Sequence, residues 1–143
     1  MQIAGFNFEK ILIEKKKKPE GKVSVSSDIN IKSIEEEKVN GMKENKILKI
    51  NFEFKVIYKP NIAEILLQGF IPLITEKEEA KKILKDWKKK IIAEETRMFL
   101  FNFIFTKCNI KALQLEEEVN LPTHIPLPKI RPQNQDSKRN YAG

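Results

Sequence analysis

The sequence predicts an α+β fold: an antiparallel sheet of about four strands, with two C-terminal helices packed on one face of it. Two runs of alternating apolar and polar residues flank Asn40-Gly41, the strongest two-residue hairpin signal. A third alternating run follows Pro60. After Pro72 the apolar residues take helical spacing, and neither Gly nor Pro interrupts the chain again until Pro122.

The elements follow in order. Phe6 to Ile13 alternates at its start and reads as a strand, and Lys15 to Gly21 reads as a charged connector. In the next run Val23, Val25, Ile29 and Ile31 share a face, as do Ile50, Phe52, Phe54, Val56 and Tyr58. Pairing Val39 with Met42 across Asn40-Gly41 sets Ile31 opposite Ile50, Ile29 opposite Phe52 and Val23 opposite Tyr58. A second turn at Lys59-Pro60-Asn61-Ile62 sets Ala63, Ile65, Leu67, Gly69 and Ile71 opposite Tyr58, Val56, Phe54, Phe52 and Ile50. Both turns put the apolar residues on one face, and a slip by one residue would destroy that agreement. Small Gly69 then lies across from bulky Phe52. The other face carries Ile57, Leu66 and Phe70 among charges.

Pro72 is expected to close the sheet, and Thr75-x-x-Glu78 reads as the capping box of a short amphipathic helix through Trp87, with Trp87 as a core anchor. A second helix is expected from Ile91 to about Leu113. Its phenylalanines recur every second residue, a strand pattern, but the flanks Ala93-Glu94-Glu95 and Lys111-Ala112-Leu113-Gln114 are helix-forming. Leu121 to Pro128 must be extended, since its closely spaced prolines preclude a regular helix. The domain is expected to span 1–130, with 131–143 as a flexible polar tail.

Composition excludes several function classes. One cysteine, Cys108, and one histidine, His124, cannot supply a structural zinc site or an internal disulfide. Cys108 reads as a buried, inert helix residue and His124 as a loop residue between prolines. The N-terminus lacks a basic region followed by an apolar run, and no apolar run is long enough for a bilayer, so a cytoplasmic location is expected. There is no glycine-rich phosphate loop, nucleophile elbow or His-Glu-x-x-His helix, and Glu116-Glu117-Glu118 reads as a solvated acidic run. No enzyme activity and no cofactor are expected. The net charge of +7 comes almost wholly from lysine, which suits solubility better than the reading of base edges.

The stretch Met98 to Phe105 holds four of the nine phenylalanines, with no charge between Arg97 and Lys107. On a helix these rings spread around the whole circumference, and a sheet covers only one side. Burying each is worth roughly 1.5–3 kcal/mol, so the other side calls for a subunit or an apolar partner.

The succession of strand, long hairpin, second hairpin, two helices and a proline-bearing C-terminus, with Gln68-Gly69-Phe70-Ile71 ending the last strand and Leu121-Pro122 after the long helix, resembles the SecB-like export chaperones. The resemblance runs from Phe6 to Leu127. It implies a four-stranded sheet with two helices on one face, assembly as a dimer of dimers, and apolar grooves that hold unfolded chains without nucleotide or metal. This chain departs from well-known members in being basic rather than acidic. It also has Ile91 to Arg97 in place of a Pro-Tyr-Ala-Arg-Glu-like stretch, and it lacks Gly-Gly-Phe-Pro after the long helix. These departures weigh against handover to an export motor. A stand-alone or toxin–antitoxin-associated chaperone is as well supported as an export factor.

The expected function is a homo-oligomeric holdase for non-native polypeptides. Its client-binding or subunit-interface candidates are Phe6 and Phe8 of the first strand and Phe99, Phe101, Phe103 and Phe105 of the long helix. Ordinary core or subunit packing is the blander reading of each ring. The alternative is a basic nucleic-acid-binding module using Lys15 to Lys18 and Lys88 to Lys90, though the exposed aromatic platform for single strands is not evident. A small enzyme with a carboxylate site between sheet and helices is a further rival.

Overall fold

In the computed structural model, which describes residues 1–132, the alternating runs form long central strands whose every second side chain turns inward. The elements are β1 (Gln2–Ile3), β2 (Asn7–Lys15), β3 (Ser24–Glu37), β4 (Asn45–Lys59), β5 (Ala63–Glu76), α1 (Lys77–Trp87) and α2 (Glu94–Glu118). The five strands form one antiparallel sheet in the order β1-β5-β4-β3, and β2 also pairs with β5. β1 and β2 are thus one N-terminal lane, broken at residues 4–6. This is the expected α+β architecture, and of the expected tail, 131–143, residues 133–143 lie outside the described residues.

The inward face of the central strands is the core. Leu48, Ile50, Phe52, Phe54, Val56 and Tyr58 of β4, with Ile65, Leu67, Ile71 and Leu73 of β5, are at most 1% exposed. Each such burial stabilises the fold by about 1.5–3 kcal/mol. α1 adds Ala80 and Ile83 to the core, and α2 adds Leu100, Ile104, Cys108, Ala112 and Leu115. Those α2 positions recur every three or four residues, so they form one stripe along the helix. No helix among the described residues is long and apolar enough to cross a membrane.

The second hairpin has the expected register, from Tyr58↔Ala63 through Phe52↔Gly69 to Ile50↔Ile71. Its turn contains a cis Lys59–Pro60 peptide and a left-handed Asn61. The first hairpin differs from expectation. Ile31 faces Phe52, Ile29 faces Phe54 and Val25 faces Tyr58, with a bulge between Ile31 and Ser33. The ladder stops at Glu37↔Ile47, so the tip is wider than two residues. Up to Ile31 the slip is by two residues, which keeps Val25, Ile29 and Ile31 on their face, and periodicity alone does not distinguish such registers; past the bulge it is by three, which turns Ile34 inward opposite Ile50.

Three boundaries also differ. β5 runs through Pro72 to Glu76 instead of ending there. Pro72 pairs with Lys49 on β4, and its carbonyl accepts from the Ala4 N–H at 2.8 Å. A strand residue aims its N–H and C=O to the same side, so the missing donor faces the break between β1 and β2 and leaves the β4 ladder whole. Thr75 does not cap α1: it belongs to β5, and its hydroxyl donates to the Glu76 carbonyl, while Glu76 holds the cap position without a side-chain bond. α2 begins later and ends later than expected, at Glu94 and Glu118. Lys90 in the preceding linker takes a left-handed conformation that separates the helices.

Candidate functional site

The sheet has one long open edge. β3 pairs only with β4 among the described residues, so the other side of this 14-residue strand is free to accept a partner. Beside it lies a groove of about 400 Å³ lined by Asn30, Ile31 and Lys32 of β3, Trp87 of α1, Lys90 and Ile92 of the linker, and Phe101 of α2. The bulge after Ile31 and the linker after Trp87 together open this space. Apolar walls (Ile31, Trp87, Ile92, Phe101) carry a cationic rim, and the Lys90 ammonium rests over the Trp87 ring at 4.4 Å from its centre. Trp87 therefore packs on the core with one part and lines the groove with another, a dual position that helical spacing did not reveal.

The six candidate phenylalanines fall into three settings. Phe6 stacks on Phe52 with ring centres 5.1 Å apart, meets Phe8 edge-on at 4.9 Å, and approaches Phe103 at 5.9 Å. This cluster seals the sheet–helix seam beneath the β1–β2 break. On the opposite flank of α2, Phe105 meets Phe54 edge-on at 6.2 Å, and Phe101 one turn earlier borders the groove. Phe99 is 40% exposed on the outer side of α2, with Met98 and Ile110 at 56% and 54%. The rings thus do surround the helix, and its outer side is uncovered in the single chain.

A polar cluster lies beside this flank, formed by residues that the sequence reading set aside. Glu116 is buried on the last turns of α2, not solvated in a linker. Its carboxylate accepts a short hydrogen bond from the Tyr58 hydroxyl and faces Nδ1 of His124 at 3.0 Å. The other ring nitrogen of His124, Nε2, lies 2.8 Å from Oδ1 of Asn109. Tyr58 Oη also stands 2.9 Å from the Pro122 carbonyl. His124 is a loop residue as expected, yet its side chain is fully enclosed, with its ring edge-on to Phe54 at 6.1 Å. Burial, reinforced by the Glu116 contact, pushes the Tyr58 phenol well above its ordinary pKa. The spacing of Asn109 and Glu116, two helical turns apart on one α2 flank, is the signal that could have exposed this cluster.

The Glu116 and His124 side chains are enclosed, and the geometry of the cluster is that of a clamp on the segment after α2. Among the described residues no group of three or more His, Cys, Asp or Glu side chains is placed to hold a metal. A larger concavity of about 780 Å³, where the segment after α2 meets the end of β2, is lined by Lys15, Lys17, Lys18, Pro19, Asn120, Leu121 and Pro122. The Lys15 ammonium there is already bonded to the Val119 carbonyl at 2.9 Å. The smaller groove is the candidate site because it joins aromatic walls to a strand edge that is unpaired among the described residues.

No family model matches this chain, and no curated protein matches it. Among solved structures, it is similar to the SecB-like chaperone Rv1957 of Mycobacterium tuberculosis, determined in complex with a ChAD peptide from the Rv1956 HigA1 antitoxin. The TM-score is 0.52 over 92% of this chain and 91% of that one, at 13% identity. At that identity the likeness is one of fold: the chain has a SecB-like architecture.

Proposed function

We propose that this protein is a chaperone of the holdase type, which binds non-native polypeptide in extended form along the β3 edge. The observation that carries this reading is the open edge of β3 lying directly beside the groove of Ile31, Trp87, Ile92 and Phe101. An extended chain added to a strand edge gains backbone hydrogen bonds whatever its sequence, and a neighbouring apolar pocket selects bulky apolar side chains. That combination suits a protein that must recognise unfolded chains rather than one ligand. The SecB-like fold supports the chaperone role, and the peptide bound to the similar structure is consistent with a polypeptide client.

The outer side of α2, with Met98, Phe99 and Ile110, is in this reading the surface where copies of the chain assemble, so the working form is a dimer or tetramer. Phe101 serves the client. Phe6, Phe8, Phe103 and Phe105 support the groove and the seam from within. Service to an export motor or to an antitoxin partner follows from neither geometry nor charge, and the reading is confined to binding.

The test is aggregation of denatured clients at near-stoichiometric amounts of the chain. Suppression is expected, together with a change in Trp87 fluorescence on client addition. Phe101→Asp is expected to weaken client binding by about tenfold or more, the loss of one well-packed apolar anchor. Absence of suppression across several clients would sink the proposal.

A further inference from the structure

We propose that the segment after α2, residues 119–125, is a displaceable strap that fills one end of the polypeptide groove and yields it to an incoming client. This inference rests on the polypeptide-binding reading and adds a control element to the same site.

The groove and the seat of the strap are successive parts of one channel. On the sheet, Ile31 faces Phe52 at the open groove, and the next inward pair along the ladder is Ile29↔Phe54. On α2, Phe101, Phe105 and Asn109 follow one another at four-residue intervals, one above the next on a single flank. Phe101 walls the open groove, Phe105 packs on Phe54, and Asn109 bonds His124. His124 in turn meets the Phe54 ring. Where an extended guest would continue past Phe101, the channel is already occupied by the chain itself.

The strap is held by side chains and not by a ladder. Only at its start do backbone bonds tie it to α2, where the Val119, Asn120 and Leu121 N–H groups donate to the Leu115, Glu117 and Glu116 carbonyls at 3.3, 3.4 and 2.9 Å. Beyond Leu121, among the described residues, no backbone N–H from 122 to 130 enters a backbone hydrogen bond. Prolines at 122, 126, 128 and 132 have no N–H to give. The remaining hold is the Lys15 ammonium on the Val119 carbonyl, buried Leu121, half-buried Ile125, the Pro122 carbonyl and the enclosed His124. Leu127 and Ile130 stand exposed just past it. Such a segment opens locally at far lower cost than a paired strand.

Displacement is also chemically conditional. Once the strap lifts, Glu116 keeps the Tyr58 hydroxyl and regains water, which offsets the loss of His124. The uncovered Phe54 and Phe105 would instead be left in water, and only an apolar guest covers them again. The strap therefore closes the channel when no client is present and gives way to apolar chain in preference to polar chain.

Hydrogen exchange of the full chain, with and without reduced carboxymethylated lactalbumin as a permanently unfolded client, tests this. Client is expected to slow exchange on β3 and the α1–α2 linker, and to speed it at Leu121, whose N–H is bonded to the Glu116 carbonyl until the strap lifts, by about tenfold or more. Protection of β3 with unchanged or slower exchange in the strap overturns the strap while leaving the polypeptide-binding reading intact. Absence of any binding overturns both. As a second measurement, His124→Ala and Asn109→Ala, each checked for native circular dichroism, are expected to tighten client affinity by about threefold or more by removing the competing occupant. Unchanged or weaker affinity in variants that fold also overturns the proposal.

Discussion

Nδ1 of His124 stands 3.0 Å from both carboxylate oxygens of Glu116, and neither side chain is exposed to solvent. A carboxylate can only accept, so the histidine proton on Nδ1 and the Tyr58 hydroxyl are its two donors. Removing one member of such an enclosed pair leaves the other without its hydrogen-bond partner, which costs about 1–3 kcal/mol, whereas removing both is far milder. Glu116→Ala is expected to destabilise the protein by about 2 kcal/mol in urea unfolding, within that range because Tyr58 turns to the Pro122 carbonyl. The double variant with His124→Ala should fall short of the summed single effects by about 1 kcal/mol or more. Strict additivity would show that the two side chains do not act as a unit.

The same contact governs behaviour in alkali. Burial first, and the Glu116 carboxylate second, raise the pKa of Tyr58 far above the value near 10 that it has when unfolded. The folded state thus keeps a proton that the unfolded state gives up above pH 10. The resulting stabilisation is fully present below about pH 10 and is lost as the pH rises beyond it. The urea midpoint should fall above pH 10 more steeply in the wild type than in Tyr58→Phe. Equal slopes would remove Tyr58 as the source.

Cys108 sits on the core stripe of α2, wholly buried, and burial alone pushes its thiol to about 12. Since the thiolate is the reactive form, the native protein should resist thiol reagents at pH 8 and react with one equivalent only once denaturant unfolds it. Rapid labelling of the folded chain would show that α2 opens locally at its centre.

What the sequence made legible was whatever local pattern controls. The two-residue period of β4 and β5 defined the inward face from Ile50 to Tyr58, and a single tight turn at Pro60 pinned their register. The β3–β4 register was not pinned, because the bulge after Ile31 and a wide hairpin tip leave no mark in the apolar alternation. The polar cluster was illegible for another reason. Tyr58, Asn109, Glu116 and His124 lie on three separate parts of the chain, and Glu116 looks like its exposed neighbours Glu117 and Glu118 until the strap is laid over it. Side chains that become buried only through a long-range contact carry no signal of it in their local sequence. Trp87 is an intermediate case, since spacing put it on the core side of α1 but only the linker geometry placed it at a groove.

Gly69 tests the seam beneath the N-terminal lane. It faces Phe52 on β4 and Phe8 on β2, so it lies between two aromatic neighbours in the lane where the β2 register shifts. A Cβ built there would fall on the Asn7 carbonyl oxygen and press on the Phe52 ring at 3.0 Å. The ring has some freedom to yield; the backbone carbonyl does not, except by pulling β2 off β5. Gly69→Ala is therefore expected to cost about 2–3 kcal/mol through overpacking, despite the ordinary gain of alanine over glycine in a strand. The damage should be local. Amide exchange should quicken along Asn7 to Lys15 and around the Phe6–Phe8 pair, while β3 and the groove beside it retain their protection. Uniform loss across all strands would show that the N-terminal lane and the β3 edge form a single cooperative unit.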